Sequence, residues 1–400
     1  MREEQQNAGN REKLLHAARR LVIKVGTSTV TGADGKLCAE RVKPIVRSIA
    51  ELMKSRRQVV LVSSGAVGLG RGWIGLHRSR LSDMVTKQAC AAVGQSLLMN
   101  AYKAMFSVYG VKIAQVLLTE DDFTNWRRYS NLRQTMEKLL GFGVLPIVNE
   151  NDTVSTAELE SVGTGSRSPV FSDNDRLAAL VMSGLEADAL VLLTDVAGLL
   201  RDASRAIGHE SKLDGESGVI SFVQKITPEL KSMAVGPSAG GRGGMQTKLE
   251  AAEIAMNCGG TAVIANGNDG RTLQRIFAGE KVGTVFLPSQ RMKGKRRWIA
   301  YAADVRGRVV VDDGAQRAIA HGKASLLSSG IVRVENHFVP MDVVSIVDLT
   351  GREFARGIAN CTSEEAEQSA ESKDEATVKR SGAKSRVVFT RDNIVLFEKS

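Results

Sequence analysis

The strongest constraint on this chain is an alternation of two textures. From about residue 21, short β-branched and aliphatic runs ("RLVIKVG", "QVVLVSSG", "VKIAQVLLT", "GVLPIVNEND", "ADALVLLTD", "GTAVIANG") are separated by longer stretches with helical spacing, such as "DNDRLAALVMSGL" and "MQTKLEAAEIAMNCG". A strand that is apolar along its whole length is buried on both faces, and helical crossovers between such strands make them parallel. The pattern predicts a three-layer α/β/α sandwich with a mostly parallel central sheet, extending to residue 288. In such sheets ligands bind beyond the carboxyl ends of the strands, so the residues that close each run are the candidate site.

After "KGKRRW" the texture changes. "GRVVVDDGAQRAIAHG", "GIVRVENHF", "VVSIVDLTGREFARGIAN" and "RVVFTRDNIVLF" are short runs broken by glycines, which predict a small β-rich domain over 297–400 with a linker at 289–296. Within it, residues 362–385 are rich in Ser, Glu, Lys and Ala and are expected to be a disordered insert. Residues 159–171 form a second insert, read as mobile, and residues 1–20 mix acids and bases as a disordered tail without the apolar centre of a signal peptide.

The charge balance is +10, which suits either nucleic acid or an enzyme that gathers anionic substrates. An aromatic content of 4% weakens a reading based on stacked bases. Cys38, Cys90, Cys258 and Cys361 lie far apart, which disfavours a zinc site or a disulfide framework and points to the cytoplasm. No apolar run reaches the length of a membrane span.

At the strand ends the residues become specific. Lys24 sits inside the first run, where it is either a snorkelling edge lysine or a contact for an anion. The second run ends in Ser63 and Ser64 with glycines, as a plain turn or as a cradle for a carboxylate or phosphate. Asp152 follows the fourth run. Asp173, Asn174 and Asp175 open a helical stretch, either as caps or as site groups, and Thr194 and Asp195 close the fifth run. "SAGGRGGMQTKLEAA" brings glycine amides and Lys248 to a helix start, either as a flexible surface loop before an ordinary helix or as a cradle for an anion. It is not a P-loop, because Thr247 occupies the position before the lysine that must be glycine. Two lysines with carboxylates and amides between them, needing no histidine, serine triad or cysteine nucleophile, suit phosphoryl transfer to a group already anionic such as a carboxylate, which carries no proton to remove.

These residues resemble the amino acid kinase family. "KVGTS", "VSSGAVG", "AAVGQSLLM", "QVLLT", "NLRQTM", "LPIVNENDTVSTAE", "DNDRLAAL", "LLTDVAGL" and "GGMQTKLEAAEIA" stand in family order, and "GRVVVDDGAQRAI" and "LSSGIVRVENHF" are similar to a PUA domain. The resemblance implies ATP-dependent phosphorylation of the γ-carboxyl of L-glutamate in proline synthesis, with Mg²⁺ and no metal site made of protein side chains. Carried over, Lys24, Lys248 and Asp175 would be catalytic, and Ser64, Asp152 and Asn174 would bind substrate. Lys24, Thr194, Asp195, Gly243, Gly244, Met245, Gln246, Thr247 and Lys248 would line the nucleotide. Proline as feedback inhibitor, a homo-oligomer through the kinase domain and a downstream glutamyl phosphate reductase are the implied partners. Ser172, Arg242 and Met341 depart from the pattern, the last where a PUA domain usually has glycine. The rivals are another carboxylate or carbamate kinase of the family and an RNA-binding protein acting through the PUA domain.

Overall fold

The computed structural model describes residues 11–77, 81, 83–154, 174–200, 218–233, 244–289, 291–292, 294–322, 324–371 and 386–397. The chain forms two compact units, one of residues 1–123 and 127–292, the other of 124–126 and 293–400. The first therefore ends at Met292, four residues beyond the expected 288. The reason is polar: Ser289 Oγ donates to Met256 O (2.8 Å) and Arg291 Nε to Cys258 O (3.0 Å), so this part of the expected linker closes the end of a helix.

The first unit is built on β1 (Arg20–Val25), β2 (Gln58–Ser63), β3 (Ile113–Leu118), β4 (Leu145–Glu150), β5 (Ala189–Thr194), β6 (Phe222–Val223), β7 (Thr261–Asn266) and β8 (Thr284–Phe286). Their order is β3-β4-β2-β1-β5-β7-β8-β6, parallel throughout except for the β7–β8 pair. The expected mostly parallel sheet is thus present. Successive side chains of a strand point to opposite faces. Leu21, Ile23 and Val25 join a core with the helices Ala39–Lys54 and Met84–Ser107. Val22, Val60, Val62, Leu190 and Leu192 are equally buried, and the helices Asn174–Leu185 and Met245–Asn257 pack against the same strands. Chain order reverses direction about β1, which lies between β2 and β5. The crevice at their carboxyl ends is where an open α/β sheet binds its ligand.

Part of the segment expected to be a disordered tail, 1–20, is ordered, and residues 1–10 lie outside the described residues. Residues 11–17 are helical, and Leu15 and Ala18 are buried in the sheet's core. Arg11 is fully buried and donates to Val282 O; burial lowers its pKa to about 10.

The second unit carries β9 (Val305–Val311), β10 (Leu326–Leu327), β11 (Ile331–Glu335), β12 (Val343–Val347), β13 (Glu353–Ala359) and β14 (Val387–Leu396) in the order β10-β14-β13-β12-β9-β11. Only β12 and β9 pair in parallel, and Val309, Phe338, Ile346 and Phe389 fill its core. The expected insert at 362–385 begins instead as a helix, Ser363–Glu371, with Ala366 buried in that core. Its start is a capping box: Thr362 N donates to Glu365 Oε2 (3.0 Å) and Glu365 N to Thr362 Oγ1 (3.3 Å). Residues 372–385, like the other insert at 159–171, lie outside the described residues.

Candidate active site

The helix Asn174–Leu185 begins over the carboxyl end of β1, and its second residue, Asp175, is fully buried. A carboxylate there is favoured by the helix N-terminus, but removing it from water costs far more unless it is paired. Two lysines pair it. Lys24 Nζ, from β1, lies 2.6 Å from Asp175 Oδ1, and Lys248 Nζ, from the first turns of Met245–Asn257, lies 3.0 Å from Oδ2. Both lysines are buried as well, at 7% and 6% exposure. Lys24 sits in register between Val62 and Leu192, so its side chain is fixed by the central strands. Thr247 Oγ1 also donates to Asp175 Oδ2 (3.4 Å) and to Gly244 O (3.0 Å).

Burial pushes the Asp175 carboxyl up, but the charges of Lys24 and Lys248, then their hydrogen bonds, prevail and hold it at about 2. It is ionised at neutral pH and cannot act as a base. One carboxylate facing two ammonium groups leaves the triad an excess of one positive charge, suited to receiving an anion.

Next to the triad lies a chain of amides and hydroxyls. Asn174 Nδ2 donates to Ser64 Oγ (2.7 Å), Asn149 Oδ1 (3.1 Å) and Ser63 O (3.4 Å). Asn149, near the end of β4, donates from Nδ2 to Gln95 Oε1 (3.0 Å). Ser63 Oγ bonds Tyr102 Oη (2.8 Å), whose pKa burial pushes up to about 12, the bond to Ser63 acting the other way. The turn that presents Ser64 needs glycine after it: Gly65 has φ +104°, and a Cβ there would lie 2.8 Å from Val30 Cγ1. Asp152 stands two residues beyond β4, half-buried.

On the other side of β1, Thr194 Oγ1 donates to Asp195 Oδ1 (3.0 Å) at the end of β5, and Asn266 Nδ2, at the end of β7, donates to Asp195 O (3.4 Å). Gly244 is the N-cap of Met245–Asn257, so Gly244, Met245, Gln246, Thr247 and Lys248 bring one helix start to the triad. Gly243, Asp173, Ser172 and Arg242 lie outside the described residues.

Of the residues expected from the sequence, the structure brings Lys24, Asp175 and Lys248 into direct contact, and Asn174 to Ser64. Thr194 and Asp195 form a separate pair at the end of β5. Sequence reasoning passed over Asn149, Gln95 and Tyr102. Asn149 ends an apolar run and was open to the same reading as Lys24, whereas Gln95 and Tyr102 are polar residues inside a helix with no signal of their own.

Comparison with known proteins gives the family of the chain. The Amino acid kinase family profile matches residues 19–266 and the PUA domain profile residues 307–380. The chain belongs to the amino acid kinase family, with a PUA domain after the kinase fold. Within that family it stands with the glutamate 5-kinases. The glutamate 5-kinase of Caldanaerobacter subterraneus subsp. tengcongensis is 43% identical over 95% of this chain and 98% of its own. That of Moorella thermoacetica is 45% identical over 86% of this chain and 87% of its own. Among solved structures, a carbamate kinase from Giardia lamblia bound to AMP-PNP covers 68% of this chain and 100% of its own, at 18% identity and a TM-score of 0.47.

Proposed function

We propose that this chain transfers the γ-phosphoryl group of ATP to the γ-carboxylate of L-glutamate, giving L-glutamyl 5-phosphate and ADP for proline synthesis. A γ-carboxylate oxygen of glutamate attacks the γ-phosphorus as the bond to the β–γ bridging oxygen breaks, and ADP leaves with that electron pair. No proton moves at the acceptor, so the site needs position and positive charge rather than a base. The observation that carries this reading is the buried Asp175 holding two lysine ammonium groups at 2.6 and 3.0 Å.

Lys24 and Lys248 approach the moving phosphoryl from two elements and offset its charge, while Asp175 holds them in place. Ser64, Asp152 and Asn174 take the amine and carboxylate groups of glutamate. Thr194, Asp195 and the segment from Gly243 to Lys248 border the nucleotide. Mg²⁺ would neutralise and orient the phosphates of ATP. Proline inhibition, assembly through the kinase unit, a downstream glutamyl phosphate reductase and a cytoplasmic setting complete the proposal; among the described residues no helix is long and apolar enough to cross a membrane.

The test is a hydroxamate assay with ATP, Mg²⁺ and hydroxylamine, which traps an acyl phosphate. L-Glutamate should give γ-glutamyl hydroxamate, and aspartate and N-acetylglutamate little, because their mismatched groups leave polar atoms of the site unpaired. Equal rates with N-acetylglutamate would overturn the assignment.

A further inference from the structure

The motif "AAVGQSLLM" places Gln95 on the helix Met84–Ser107, on the face that also carries Leu98 and Tyr102. These three are 8%, 0% and 1% exposed. That face comes close to the strand ends because the helix meets its neighbour, Ala66–Ile74, through glycines: a Cβ on Gly94 would sit 1.8 Å from Ala66 O. From there Tyr102 reaches Ser63 at the end of β2 and Gln95 reaches Asn149 near the end of β4.

An amide has a donor end and an acceptor end, so hydrogen bonds from one amide to the next run in a single sense. Asn174 Nδ2 is turned toward Ser64 Oγ, Ser63 O and Asn149 Oδ1. Ser63 O can only accept, but at 3.4 Å it holds Nδ2 weakly, so the sense that turns Asn174 Oδ1 away as an acceptor also depends on Asn149. Asn149 keeps its Oδ1 on Asn174 only while its own Nδ2 finds an acceptor on the far side. Gln95 Oε1 is that acceptor, at 3.0 Å. Among the described residues, Gln95 Nε2 is buried and without a hydrogen-bond partner. A buried donor left unpaired works against stability.

We propose that Gln95 is a positioning residue for the acceptor side of the site. It holds Asn149, and through it Asn174, in the sense that presents Asn174 Oδ1 to the ammonium group of the amino-acid substrate. The inference rests on the glutamate reading above. Without Gln95 Oε1 the Asn149 amide is free to reverse, and the Asn174 amide follows in a fraction of molecules. An NH₂ group then faces an ammonium group, and substrate binding weakens while the phosphoryl side is untouched.

The test compares full-length wild type with Gln95→Met and Gln95→Glu by steady-state kinetics and thermal unfolding. Methionine fills the space without an acceptor. Glutamate in its neutral form, which burial favours, is isosteric with glutamine and keeps the acceptor. Gln95→Met should raise the KM for L-glutamate by about five- to ten-fold, the loss of one hydrogen bond to a charged group in part of the population. Its kcat, its KM for ATP and its unfolding temperature should stay near wild type, and Gln95→Glu should restore the KM for L-glutamate. An unchanged KM in Gln95→Met overturns the inference. So does a Gln95→Glu variant as defective as Gln95→Met, or a rise in both KM values together with a lower unfolding temperature. If Gln95→Met does not fold, Gln95→Ala carries the same comparison. Wild type that forms no hydroxamate from glutamate defeats the reaction itself, a result distinct from wild-type activity with Gln95 indifferent.

Discussion

Replacing Asp175 by asparagine removes one negative charge from between two buried ammonium groups and changes almost no volume. Asp175 is fully buried, and its pKa falls from 3.8 to about 2 in the folded chain. At ~1.4 kcal/mol per unit, that difference makes the ionised form worth about 2 kcal/mol of stability. The variant should lose more, about 3 kcal/mol, because Lys24 and Lys248 then face each other in the interior without the carboxylate. The sign with pH follows from the lowered pKa. The contribution is present above the unfolded value near 3.8 and is lost as pH falls through about 2. In urea unfolding followed on the kinase unit, the gap between wild type and Asp175→Asn should hold from pH 7 to about 4 and close only below that. ATP should stabilise the variant more than the wild type, since its phosphates give the stranded lysines a partner. Hydroxamate formation should fall by ~10²-fold, because both lysines lose their fixed position. An Asp175→Asn protein as stable as wild type at pH 7, or a gap that closes already by pH 5, would refute the account of the triad.

Lys248→Ala should lower turnover by ~10²–10³-fold with a smaller effect on the KM for L-glutamate, since it acts on charge that develops in the transition state; near-normal turnover would make it a structural lysine. Asp152→Ala should raise the KM for L-glutamate while leaving that for ATP unchanged, and the opposite pattern in kinetics would move Asp152 to the nucleotide side. Gly94→Ala should cost more than ~3 kcal/mol in unfolding experiments or prevent folding, because the new Cβ would lie 1.8 Å from Ala66 O and 2.5 Å from Gly70 N. Met341→Gly should stabilise the β-rich unit by about 0.5–1 kcal/mol, since Met341 has φ +79° and is 68% exposed; a loss in thermal unfolding would contradict that.

The central sheet was legible because each buried strand is a continuous apolar run that ends in polar residues. Lys24 stood out for the same reason: a charge inside such a run demands a partner. What the runs could not show is pairing between elements far apart in sequence. Asn149, Gln95 and Tyr102 act across separations of 25 to 54 residues, as in Asn174–Asn149 and Asn149–Gln95, and neither composition nor periodicity encodes such a contact. The short β8 was missed because its run is only three residues long and pairs antiparallel. Two segments read as disordered, 1–20 and 362–385, contain helices at 11–17 and Ser363–Glu371 that composition does not announce. Around Leu15 and Ala18 a few apolar side chains suffice to seat a helix on an existing core. At 362–365 the Thr-x-x-Glu signal was present in the sequence, and the abundance of Ser and Glu that suggested disorder was the cap and first turn of a helix.

The held charges also bear on which of two kinds of chemistry is proposed for this sheet. An acceptor hydroxyl would need a base, and the carboxylate that pairs the lysines, Asp175, is held at about 2, far too weakly basic for that task at neutral pH. A deprotonated carboxylate acceptor asks for something different. It must be brought against a phosphoryl group that is also anionic, and that repulsion is the main obstacle. Lys24 and Lys248 come from different elements, β1 and the helix Met245–Asn257, and both are oriented by one buried carboxylate. Their positive charge is therefore in place before either anion arrives, and no reorganisation is needed as the phosphoryl moves. The amide chain from Gln95 to Asn174 does the corresponding work on the acceptor side without adding charge, which would disturb that balance. On this reasoning, neutral substitutions along the amide chain should act on the glutamate response, and substitutions in the triad on the rate.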